Sequence, residues 1–95
     1  MLKADIRVMG TDYKEEQMFV DLVERCYGFQ VTDDNGWIYT YEVGDGYRDG
    51  RIVNCFVHYE SDCVFMVVEC NGVYFEVGFD NYKEYKVHHE PLPFK

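Results

Sequence analysis

The chain predicts an α+β domain: one helix packed on a curved, mostly antiparallel sheet of about five to six strands, in the order β-α-β-β-β-β-β. Three observations carry that prediction. Apolar residues alternate at the start, at Leu2, Ala4, Ile6 and Val8. A helical period follows at Phe19, Leu22, Val23 and Cys26. From Phe29 onward, aromatic and β-branched runs are cut by clusters of Gly, Asn and Asp.

The elements follow in order. The first strand has polar Lys3, Asp5 and Arg7 between its apolar residues, as a half-buried strand requires. Gly10, Thr11 and Asp12 break it. Asp12 with Glu15 makes a capping-box-like pair, and Glu15 and Glu16 suit a first helical turn. The helix is expected from about Tyr13 to Tyr27, with Gly28 as its terminator. Phe29 to Val31 reads as a short strand, and Asp33, Asp34, Asn35 and Gly36 as a turn. Trp37 to Val43 is a second strand of this region. Gly44 to Gly50 is too glycine-rich for a regular element. Ile52 to Glu60, Cys63 to Cys70 and Val73 to Phe79 then form a meander. Asn71-Gly72 is a strong hairpin signal, because a type I′ turn needs positive φ at both positions.

That turn pairs Cys70 with Val73, Val68 with Phe75, Met66 with Val77 and Val64 with Phe79. A two-residue turn at Ser61-Asp62 would pair Val53 with Cys70, Cys55 with Val68, Val57 with Met66 and Tyr59 with Val64. One face of the meander is then wholly apolar. The other carries Phe56, Phe65 and Val67 within a ring of Glu60, Glu69 and Glu76. This second face is either an interface or a surface covered by Tyr85, Val87, Leu92 and Phe94 from the C-terminal segment.

Ninety-five residues form one domain, 1–95, with 80–95 as a C-terminal lid or extra strand. The formal net charge is −9, and no Lys or Arg occurs between Arg51 and Lys83. That balance disfavours direct binding to nucleic acid or anionic membranes and favours partners with basic surfaces. The N-terminus lacks the apolar core of a signal peptide, so a cytoplasmic location (the host cytoplasm for a phage-encoded chain) is expected. Cys26, Cys55, Cys63 and Cys70 are then expected as thiols.

Motifs for chemistry are incomplete. Cys55 and His58, three apart on a strand, diverge, so zinc is not expected with Cys63 and Cys70. The loop from Asp45 to Gly50 lacks most calcium ligands. A Cys63–His58 dyad is the only conceivable nucleophilic pair, without the third group that would orient it. No cofactor, metal or catalytic residue is therefore expected.

The charge points instead to a non-enzymatic inhibitor of a nucleic-acid-handling protein, acting through a nucleic-acid-mimicking surface. Small acidic inhibitors of anti-CRISPR or anti-restriction type, encoded by phages and mobile elements, offer an analogy of size and charge. The expected contacts are Glu15, Glu16, Asp21 and Glu24 on the helix. Asp33, Asp34, Asp45 and Asp49 contribute from loops, and Glu60, Glu69, Tyr74 and Glu76 from the sheet. Carboxylates two apart on a strand lie roughly 6.8 Å from one another, of the order of the phosphate spacing. Tyr39, Tyr41, Tyr47, Tyr82 and Tyr85 would add contact area. The alternative is a homo-oligomeric structural or small-ligand-binding module, such as a homodimer, using the Phe56/Phe65/Val67 face.

Overall fold

The computed structural model describes residues 2–14 and 23–91. These form nine strands: β1 (Lys3–Gly10), β2 (Val23–Cys26), β3 (Gly28–Asp33), β4 (Ile38–Glu42), β5 (Gly46–Tyr47), β6 (Gly50–His58), β7 (Cys63–Cys70), β8 (Val73–Asp80) and β9 (Tyr82–His88). One antiparallel sheet runs β1-β8-β7-β6-β2, with β5 attached to β6. A second runs β4-β3-β9. No helix of the described residues is long and apolar enough to cross a membrane.

The fold is therefore all-β among the described residues, and the α+β expectation is corrected. Residues 15–22 of the predicted helix lie outside those described. Where its second half is described, Val23–Cys26 is a strand paired with β6, Cys26 opposite Cys55. Tertiary pairing overrides the helical spacing here: β2 satisfies the edge of β6, and Cys26 enters the core at 5% exposure.

Two one-residue connections carry the chain from one sheet to the other. Only Tyr27 separates β2 from β3, and only Asn81, at φ 63°, separates β8 from β9. Such sheet-switching bends make the corners of orthogonally packed sheets. The main core fills the space between: Phe29 and Val31 from the second sheet meet Ile52, Cys55, Val57, Val64, Met66, Val77 and Phe79 from the first. Tyr41 stacks on Phe79 with ring centroids 4.9 Å apart, and Phe29 lies 5.7 Å from Tyr41. Tyr41 and Tyr47 thus serve the interior, with Tyr47 5.8 Å from Tyr41, and are not contact tyrosines.

The β7–β8 register follows the Asn71-Gly72 turn: Cys70 pairs Val73, Val68 pairs Phe75 and Met66 pairs Val77. Both turn residues have positive φ, 53° and 83°. The β6–β7 register differs from the expected one by two residues, because the turn has four residues, Tyr59 to Asp62. Cys55 faces Met66 and Val57 faces Val64. A shift of two keeps side chains on their faces. A bulge between Ile52 and Asn54 then brings Ile52 to the core side, opposite Val68, and leaves Val53 with the other face.

That other face is not an open patch. Phe56 and Val67 are fully buried, and Val23, Met9, Tyr13, Val53, Phe65 and Tyr74 pack with them. Two of the three side chains of the Phe56/Phe65/Val67 face have no accessible surface, so little of it is open to a second copy or a ligand. Among the described residues the C-terminal segment does not cover these side chains. Tyr85 and Val87 belong to β9 and pack on the main core, while Leu92 and Phe94 lie outside the described residues.

Candidate functional site

The predicted acidic contacts fall into distinct physical situations. Glu15, Glu16 and Asp21 lie outside the described residues. Glu24 is exposed on β2, opposite Val57. Asp33 is a correction: it is 1% exposed and turned inward. Its Oδ1 accepts hydrogen bonds from the amides of Asn35 (2.9 Å) and Trp37 (3.0 Å), and its Oδ2 accepts one from the Tyr39 hydroxyl at 3.1 Å. Burial pushes the Asp33 carboxyl up. The amides of Trp37 and Asn35 and the Tyr39 hydroxyl outweigh it, and the group sits below its ordinary 3.8. Asp33 and Tyr39 therefore organise the β3–β4 turn.

Two of the sheet carboxylates have partners within the chain. Arg7 on β1 donates to Glu76 at 2.7 Å. Glu69 lies opposite Arg51 in register, and its Oε2 accepts the Gly72 amide at 2.8 Å, closing the hairpin turn. Asp80 lies opposite Lys3. Tyr74 is half-buried, its ring 5.1 Å from that of Tyr13. Asp45 is half-buried too, with its backbone bonded to Glu42 and Ile52. Asp49 is exposed, and its carbonyl accepts the Cys70 thiol at 3.5 Å. Asp34 and Glu60 are exposed in turns.

At the β6–β7 turn a different cluster forms. Asp62, at φ 54°, is gripped by β9: Tyr85 donates to its Oδ1 at 2.6 Å and Tyr82 to its carbonyl at 3.1 Å. The two rings meet edge to face at 6.1 Å. Asp62, Tyr82, Lys83, Glu84 and Tyr85 line a cleft, with 44%-exposed Tyr59 nearby in the turn. The hydrogen bond to Asp62, together with burial, pushes the Tyr85 hydroxyl up to about 12, so it remains a donor at neutral pH. Carboxylates beside tyrosine faces form a suitable receptor for a guanidinium or ammonium group.

Sequence reasoning named Glu60, Tyr82 and Tyr85 but not Asp62. Tyr82 and Tyr85 are three apart, which on a regular strand separates them by face. A register shift against β3 brings them together: Thr32 pairs Glu84 while Asp33 pairs Tyr82. The two-residue-turn reading also hid Asp62, whose positive φ belongs to the longer turn.

The dyad geometry is equally concrete. His58 and Cys63 face each other across β6 and β7, but His58 Nδ1 accepts the Ser61 amide at 3.0 Å. Burial raises the Cys63 thiol, the wrong direction for a nucleophile. Cys26 is pushed up to about 11 by burial, and burial raises fully enclosed Cys55 further. Among the described residues, no group of three His, Cys, Asp or Glu side chains is placed to hold a metal ion.

Comparison of the chain with protein-family models, with curated proteins and with solved structures gives no match.

Proposed function

We propose that this protein binds, without catalysis, a protein whose basic surface handles nucleic acid, and inhibits it by placing carboxylates where phosphates sit. The observation that carries this reading is the acid–tyrosine cleft at the β6–β7 turn. There Asp62 and Glu84 stand beside the rings of Tyr82 and Tyr85, with Glu60 in the same turn as Asp62. The formal net charge of −9 supplies long-range attraction to a basic partner, and the cleft supplies a contact for its Arg or Lys side chains.

The test uses the immobilised protein to capture a partner, followed by binding measurements on the purified pair between about 50 and 400 mM salt. Affinity should fall steeply across that range, and duplex DNA should compete. Glu60→Lys with Glu84→Lys should weaken binding by about tenfold or more. Asp49→Lys, at the far end of β6, should change it far less. Salt-independent binding, no competition by DNA, or equal loss in all three charge reversals would overturn the proposal.

A further inference from the structure

The core-side face of the first sheet extends past the second sheet at the β1 edge. Ile6 remains 39% exposed and Val8 66% exposed, although both occupy the apolar positions of their strand. Beside Ile6 lies a cleft of about 260 Å³ lined by Ile6, Val68, Phe75 and Val77 together with Cys70 and the Tyr47-Arg48-Asp49-Gly50 segment. Among the described residues, β1 pairs with β8 alone, so its other edge presents a ladder of backbone donors and acceptors. The regular part of that ladder spans Lys3 to Val8, ending at the bulge before Gly10. Proteins ordinarily blunt such an edge or pair it.

We infer that β1 pairs antiparallel with β1 of a second copy, about a two-fold axis at Ile6, to form a homodimer with one continuous sheet. The strand's own charge order argues for this occupant. Side chains alternate with a period of two, so only registers that keep like faces together are allowed. Centring the axis on Asp5 places two carboxylates face to face, and centring it on Arg7 places two guanidinium groups face to face. Both are unfavourable. Centring it on Ile6 places Asp5 opposite Arg7 of the second copy, twice, with Ile6 against Ile6 and Ala4 against Val8 on the apolar face. β8 leaves room for this: opposite Asp5 it carries Gly78, which offers no side chain. Arg7, held by Glu76 at 2.7 Å, then lies between two carboxylates of opposite origin. The pairing also covers the exposed flanks of Ile6 and Val8. This interface is separate from the acid–tyrosine cleft and does not depend on the binding role proposed for it.

Sedimentation velocity over a concentration series tests the pairing. The wild-type protein should dimerise, and Asp5→Arg should weaken the dimer by about tenfold or more by setting like charges opposite one another. Adding Arg7→Asp to that variant should restore association, because the two charges exchange places. Val8→Lys, at a largely exposed position, should weaken the dimer with the fold unchanged by circular dichroism, and it decides the matter should Asp5→Arg fold poorly. Ile6→Cys should yield, on mild oxidation, a disulfide joining the two position-6 peptides, whereas Asp5→Cys should not self-link. A protein that stays monomeric up to about 1 mM overturns the inference and leaves the edge for a strand of another protein. A dimer indifferent to Asp5→Arg and Val8→Lys overturns it as well.

Discussion

At the scale of single residues, Asp33 shows how an acid in a turn cluster becomes structural. Three donors converge on its carboxylate, and their dipoles favour the ionised form over the desolvation that opposes it. Its folded value is depressed, so its stabilising contribution is complete above the ordinary carboxylate value of 3.8 and is lost as pH falls through the lower folded value. Asp33→Ala should lower the melting temperature by on the order of 5 °C at neutral pH, since the Asn35 and Trp37 amides lose their acceptor. The gap between mutant and wild type should narrow in melts at progressively lower pH, through that window. A gap that stays constant down to full protonation would show that the carboxylate's charge contributes nothing.

At the scale of elements, β3 depends on one close approach. A Cβ at Gly28 would lie 2.5 Å from the Tyr41 carbonyl oxygen and 2.7 Å from Cγ of buried Glu42. Backbone cannot yield at that distance, so Gly28→Ala should cost about 2–3 kcal/mol in urea unfolding. Gly46→Ala, with its nearest neighbour at 3.9 Å, should be near neutral in the same measurement. The sequence reading took Gly28 for a helix terminator, when its real constraint is cross-strand. Local chemistry was readable where it was sufficient: Asn71-Gly72 set the β7–β8 register because its backbone conformation admits few alternatives. It was unreadable where partners distant in sequence decide. The strand at Val23–Cys26 owes its state to β6, and the four-residue turn is held by tyrosines of β9. The acid–tyrosine cleft was half legible for the same reason. Its residue types were visible, but their meeting depends on a register shift in β9.

At the scale of the whole molecule, the interval without Lys or Arg is less one-sided than its composition, since Arg7 reaches Glu76 from outside and Lys3 and Arg51 lie opposite Asp80 and Glu69 in register. The residual charge gives the two proposed associations opposite responses to salt. Binding of a basic partner should weaken as salt rises. Dimerisation, which joins two chains of net charge −9, should hold or strengthen as their mutual repulsion is screened. Sedimentation and affinity measured across one salt series check both signs together. The bends at Tyr27 and Asn81 carry a last consequence. At each bend a strand of one sheet leads directly into a strand of the other, so fraying that begins in one sheet should draw on hydrogen bonds of the other. Opening should then be collective, with slow amide exchange extending across both layers.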